Sequence, residues 1–183
     1  MARLRYLDDK EIEPMPLGDH AKSIHLFRIL GHSPGMAQAF HGVGNYIRWD
    51  SKIDPRLREL AILQVGYLAR SPYEYSHHVK IGQQFGVTDD DIHGMIAETE
   101  GKDSSLEPLA KSVCRAAREM TRDYRVSDAT YTALEQEMEG EQLIDLIVTI
   151  GFYNCVVRVL ASTDMDVEED YKQYLEKFPL PKV

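Results

Sequence analysis

Apolar residues along this chain recur every three to four positions, and the period-two alternation of a half-buried strand hardly occurs between turn clusters. The class this predicts is all-α. Three helix starts share one device, a side-chain acceptor at the N-cap followed by proline at the first helical position: Ser33-Pro34, Asp54-Pro55 and Ser71-Pro72. They predict helices over 34–48, 55–69 and 72–85, the third stopped by Gly86, with a further helix over 19–30 before them. Thr88, followed by Asp89, Asp90 and Asp91, opens a short helix to Glu98 whose first-turn carboxylates favour the positive end of the helix dipole. Beyond a polar loop over 100–105, helices are expected over 106–124, 128–138 and 141–161, with a last one over 167–178. About eight to nine helices then make a single domain, 1–183, whose first segment, 1–17, reads as irregular.

Two of these helices lack a polar face. In the helix over 55–69, Leu57, Leu60, Ala61, Ile62, Leu63, Val65, Tyr67 and Leu68 cover nearly the whole circumference, which predicts a central position. The helix over 141–161 reads likewise and is its natural packing partner or a subunit contact. Glu59 and Gln64, carried inward by the central helix, need hydrogen-bonding partners, because an ionised carboxylate buried without any costs several kcal/mol.

Composition narrows the range of partners. With 30 acidic against 21 basic side chains the formal charge is -9, and the basic residues are scattered, so phosphate backbones and anionic membrane surfaces are expected to be repelled. No nucleic acid and no membrane is the expectation. The first residues lack the apolar core of a signal peptide, and no stretch approaches 18 uninterrupted apolar residues. Cys114 and Cys155 lie apart in apolar helical stretches, as small buried hydrophobes in a reducing compartment would, and the cytoplasm is the expected location.

The candidate chemistry lies between the central helix and the next. Glu59 is followed, after eleven residues, by Ser71-Pro72-Tyr73-Glu74-Tyr75-Ser76-His77-His78. Glu74 and His78 are four apart on a predicted helix, so they share a face and reach hydrogen-bonding distance. A carboxylate that holds one imidazole nitrogen fixes the tautomer and raises basicity, leaving the other nitrogen to move protons near neutral pH. If Glu59 points at that pair, two carboxylates flank one imidazole in an apolar setting, which separates pKa values. A second reading gives Ser71 and Glu74 to a capping box, each side chain accepting from the other's amide. His77 lies about 100° around the helix from His78 and is expected to face solvent or a neighbouring subunit. Tyr73 stands where a pocket hydroxyl would serve, although tyrosines there are also common core aromatics. His20, His25, His32, His41 and His93 form no metal-ligand pattern and read as surface or packing residues.

The spacing resembles that of the AhpD-like carboxymuconolactone decarboxylase superfamily: a glutamate, eleven residues, Cys-x-x-Cys, and a histidine four positions after the second cysteine. Glu59 and His78 stand at the glutamate and histidine positions, while Ser71 and Glu74 replace both cysteines. The Tyr-Glu-aromatic-x-x-His variant is similar to the decarboxylase branch, and the wider resemblance runs over residues 54–96. It implies an AhpD-like helical bundle and a homo-oligomer, a trimer or hexamer with a dimer also open, whose sites lie close to subunit interfaces. It also implies acid–base catalysis on a small-molecule substrate, an organic acid or lactone, with neither metal nor organic cofactor. His78, Glu74 and Glu59 would be catalytic and Tyr73 and Ser71 substrate-binding. The superfamily's other activity, peroxide reduction of the peroxiredoxin type, needs the two motif thiols that Ser71 and Glu74 replace. A third possibility is a non-catalytic binding oligomer in which the polar trio satisfies itself.

Overall fold

The computed structural model describes residues 2–181; Met1, Lys182 and Val183, the ends of the single domain expected over 1–183, lie outside the described residues. Among the described residues there is no strand, and eleven α-helices are joined by one π-helical and one 3-10 turn. The number exceeds the eight to nine expected because several terminal pieces are single turns. One lies in the segment expected to be irregular: helix α1 (Asp9–Ile12) forms because the Asp8 and Glu11 side chains each accept from the other's amide, at 3.0 Å.

The helix expected over 19–30 is two helices, α2 (Asp19–Ser23) and α3 (His25–Leu30), separated at Ile24, whose backbone is extended (φ -97°, ψ 148°). The break has a long-range cause. The His25 amide, which an unbroken helix would direct to the carbonyl four residues back, donates to Glu168 Oε1 at 2.9 Å instead. Helix α4 (Pro34–Asn45) continues into a π-helical turn, Tyr46–Asp50, so that its last side chains leave the regular helical stripe.

Helix α5 (Pro55–Leu68) is capped by Asp54, whose side chain accepts from the Leu57 amide at 3.1 Å, and every residue from Leu57 to Tyr67 is buried. It is the central helix the pattern predicts. Around it pack α6 (Pro72–Gln84), α8 (Pro108–Asp123) and α10 (Gly140–Thr163), with α7 (Asp89–Thr99), α9 (Asp128–Glu135) and α11 (Lys172–Lys177) outside. The α5–α6 crossing is close because Gly66 has no side chain: a Cβ there would lie 3.2 Å from the Tyr75 amide nitrogen. Gly86, at φ +93°, takes the left-handed conformation that ends the turn after α6.

Helix α10 is the one helix among the described residues long and apolar enough, by composition, to cross a membrane, and half of its most apolar stretch is buried against this core. Its buried face includes Asp145, whose carboxylate accepts from the Lys52 amide at 2.7 Å, and Asn154, which bonds Thr121 at 3.1 Å. Of the cysteines expected to be buried, Cys114 is, whereas Cys155 is exposed on the outer stripe of α10. An all-round apolar pattern cannot say which face of a helix turns outward.

Candidate active site

The site begins with two consecutive residues of α5. Arg58 and Glu59 are 2% and 1% exposed, and the Arg58 guanidinium donates twice to Glu59 Oε1, at 3.0 Å through Nε and 2.9 Å through Nη2. The third arm, Nη1, donates to the Arg48 carbonyl at 2.9 Å, and the plane lies over the Phe85 ring at 4.5 Å. The other oxygen of Glu59, Oε2, meets His78 Nδ1 of α6 at 2.7 Å. His78 Nε2 in turn lies 3.1 Å from Glu74 Oε1, one turn earlier on the same helix. The result is a chain of alternating charge, Arg58–Glu59–His78–Glu74, whose last member reaches the surface of a cavity.

Burial alone would lower the basicity of His78. The two carboxylates outweigh it, through charge and then through hydrogen bonding, and push the imidazole up to about 9. Glu59 shows the mirror image: burial would raise its pKa, but His78 and Arg58 overcome the penalty and hold it below the ordinary carboxylate value. With His78 protonated, the formal charges of Arg58, Glu59, His78 and Glu74 cancel. Both nitrogens of His78 are engaged, so neither is free as the notion of one orienting carboxylate supposed. Glu74 Oε2 has no partner among the described residues and is the open end of the relay.

The cavity has a volume of about 590 Å³ and is lined by Glu74, His78 and Tyr73. Phe40, Trp49, Phe85, Phe152 and Tyr153 supply aromatic walls, and His20, His41, Arg48, His77 and Lys80 supply polar ones. The Tyr153 ring stands edge-on to His78 at 4.9 Å, and burial, then Glu74 and Glu59, push its hydroxyl pKa up. Among the described residues no group of three His, Cys, Asp or Glu side chains is arranged to hold a metal ion.

Glu59, Glu74 and His78 therefore converge, with Glu59 behind the cavity wall rather than in it. Ser71 does not line the cavity, and the capping box is not formed: the Ser71 side chain accepts no cap bond, and the Glu74 carboxylate turns to His78 instead of the Ser71 amide. An anion beside a buried imidazolium gains more than one accepting from a single amide, and that decides the competition. Tyr73 does line the cavity, but its hydroxyl is committed, donating to Glu168 Oε1 at 3.0 Å and accepting from the Leu26 amide at 3.2 Å.

The expectation that His77 faces solvent or a neighbour is overturned. His77 is buried, stacked between the rings of Tyr73 (4.2 Å) and Tyr171 (3.6 Å), with Nε2 2.9 Å from Glu168 Oε2. Burial would raise the pKa of Glu168; the bond to His77 and the His25 amide draw it down to about 2. Nothing near His77 in the sequence announces Glu168, which arrives 91 residues later. Of the other histidines, His20 and His41 belong to the cavity, while His25 and His32 bond the Asp166 and Arg5 carbonyls at 3.1 and 2.9 Å. Arg58 is a further member of the site that the motif spacing does not include. Its signal was available, since a charge adjacent to Glu59 on a helix apolar all round must itself be paired.

Residues 34–101 match the carboxymuconolactone decarboxylase family, and this segment carries all four members of the relay. The fold is that of AhpD-like proteins. An uncharacterized peroxidase-related protein with an alkylhydroperoxidase AhpD core, from Ralstonia eutropha JMP134, has a TM-score of 0.75 at 16% identity, covering 99% of this chain and 98% of that one. The debrominase Bmp8 in complex with 2,3,4-tribromopyrrole has a TM-score of 0.73 at 17% identity, covering 84% and 82%. An uncharacterized peroxidase-related protein from Silicibacter sp. TM1040 has a TM-score of 0.68 at 17% identity, covering 91% and 93%. At these identities the likeness to solved structures is one of fold. None of the curated proteins compared with the chain matches it. Over residues 34–101 the chain is thus similar to the carboxymuconolactone decarboxylase family, and its fold is AhpD-like, with glutamate and serine where the motif has thiols.

Proposed function

We propose that this chain is a cofactor-free proton-transfer catalyst acting on a small organic acid or lactone, most simply by decarboxylation. The observation that carries the reading is the Glu59–His78–Glu74 relay, buried at one end and open to an aromatic cavity at the other. In the reaction the bond to the departing carboxylate breaks, its electron pair stays on the substrate as an enolate, and carbon dioxide leaves. Glu74 hands the proton it shares with His78 to that carbon, and solvent restores the proton to the pair. Glu59 and Arg58 keep the imidazole oriented and charged between turnovers, which is the role of the member behind the wall. The bound 2,3,4-tribromopyrrole of the debrominase is a flat ring held by a protein of the same fold, and it fits a substrate of that size.

Thiol peroxidase chemistry is the weaker reading. Burial pushes Cys114 up to about 12, which leaves it a thiol, and Cys155 lies outside the cavity lining. The test is to incubate the protein with β-keto acids and carboxylated lactones in deuterium oxide and follow carbon dioxide release and carbon deuteration by NMR. Glu74→Gln should fold and lose about 10² to 10⁴ in rate, while replacing both cysteines by serine should leave the rate intact. Peroxide turnover that disappears with Cys155→Ser, and no deuteration of any probe, would overturn the reading.

A further inference from the structure

The cavity contains two cations with no counter-ion. Arg48 and Lys80 both line it, and neither has a carboxylate within ion-pairing distance among the described residues. What sets these two apart is their place, half-buried in the lining of a cavity in a chain with nine more acidic than basic side chains. A partly desolvated cation left unpaired is unfavourable in the empty protein, and a ligand anion offsets that cost.

The backbone of Arg48 is held in place. It sits in the π-helical turn that ends α4, and its carbonyl accepts from Arg58 Nη1 at 2.9 Å, so the turn is tied to the relay. Its side chain lines the cavity together with His20, His41, Tyr153 and Tyr171. Lys80 Nζ lies 4.8 Å from the centre of the Tyr171 ring. The same lining holds Glu74 and the paired aromatics Trp49–Phe85 (5.7 Å) and Phe40–Phe152 (4.6 Å).

We propose that the cavity binds a flat aromatic carboxylate, its anion held by Arg48 and Lys80 and its ring system lying between the aromatic walls with the far edge at Glu74. A guanidinium presents two parallel donors that match a carboxylate, and the lysine adds a point charge. The relay does not oppose the anion, since its two anions are balanced by its two cations. Asp19, also in the lining, is the one further carboxylate and excludes the anion from its own end. A volume of about 590 Å³ lies in the ordinary range of small-molecule sites and admits a ligand of two fused rings with room to spare. Which end of the ligand meets Glu74 rests on the proton-transfer reading; the binding of the anion does not.

Isothermal titration calorimetry of the whole chain with 2-naphthoate and with its uncharged isostere 2-naphthamide tests the proposal. Naphthoate should bind at least about tenfold more tightly than the amide, as charge-assisted hydrogen bonds predict. Arg48→Gln should remove about tenfold or more of the naphthoate affinity and Lys80→Gln a few-fold, both leaving amide binding unchanged. The Arg48 side chain bonds to no other residue among those described, so the variant should fold, which an unchanged melting temperature would verify. Glu74→Gln should keep or strengthen naphthoate binding, because it removes a negative charge. Equal affinities for acid and amide, an Arg48→Gln protein that binds naphthoate like the parent, or no naphthoate binding at millimolar concentration would each overturn the anion assignment. The proton-transfer reading would survive those results, since it falls on the Glu74→Gln rate and not on this binding.

Discussion

His78 is held by charge on both ring nitrogens, and the consequence is a definite pH dependence. Its pKa in the folded chain is raised from 6.5 to about 9, so the stability it contributes is complete below about 6.5 and is lost as pH rises through about 9. Glu59 acts in the opposite sense: its pKa is lowered from 4.5, so its contribution is present above that value and fades on acidification. Urea unfolding of the parent should therefore show stability falling between about pH 6.5 and 9. His78→Asn should lower stability by about 3–5 kcal/mol, because two carboxylates are left without their cation, and should abolish that slope. Parent and variant curves that run parallel over this window would mean that the imidazole is not held charged. Three of the relay's four members were legible in the sequence, because Glu74 and His78 are four apart on one helix and Glu59 precedes them within twenty residues. The destination of Glu74 was not, since capping and pairing with His78 are both local and only the buried charge decides between them.

At the scale of elements, the helices that begin at proline start where the sequence places them, because proline at the first helical position is a local device that needs no distant partner; of the three N-caps only Asp54 accepts a cap bond. The misses are the break at Ile24, made by Glu168 from the other end of the chain, and the π-helical turn at Tyr46–Asp50, anchored by Arg58 to the Arg48 carbonyl and by Tyr46 to Asp145 at 3.3 Å. Both are tertiary in origin. Helix packing also sets the spacing of the relay, since Glu59 comes from α5 and His78 from α6, and the two helices approach where Gly66 faces the Tyr75 backbone. Gly66→Ala forces that crossing to open by a few tenths of an ångström and should destabilise the chain by about 1–3 kcal/mol, a drop of several degrees in melting temperature. Gly42→Ala on α4, where a Cβ meets nothing within 4 Å, is the control and should be neutral or stabilising by up to about 1 kcal/mol. Equal effects of the two substitutions would mean that the crossing is not tightly packed.

At the scale of the molecule, α10 carries more apolar surface than its neighbours within one chain cover. Ile144 and Val148 are 61% and 50% exposed, and with Gly151 and Cys155 they follow one another at helical spacing along one outer stripe. The end of α4 lies alongside, joined through Phe40 against Phe152 and Tyr46 to Asp145, and adds the exposed Val43 and Tyr46 to the same side. We propose that a second copy of the chain covers this face. The stripe is narrow and ends in small residues, so two α10 helices can approach closely across a two-fold axis, each stripe meeting its own equivalent. An interface larger than roughly 1,600 Å² in total is the expectation for a lasting assembly of this kind. Light scattering after size exclusion should give an oligomer at micromolar concentration. Val148→Glu should convert it to a monomer with an unchanged helical spectrum, because a carboxylate pressed against its own copy is both desolvated and repelled, while remaining solvated on the free chain. A parent protein that is monomeric at that concentration, or a Val148→Glu oligomer of unaltered size, would remove α10 as the contact.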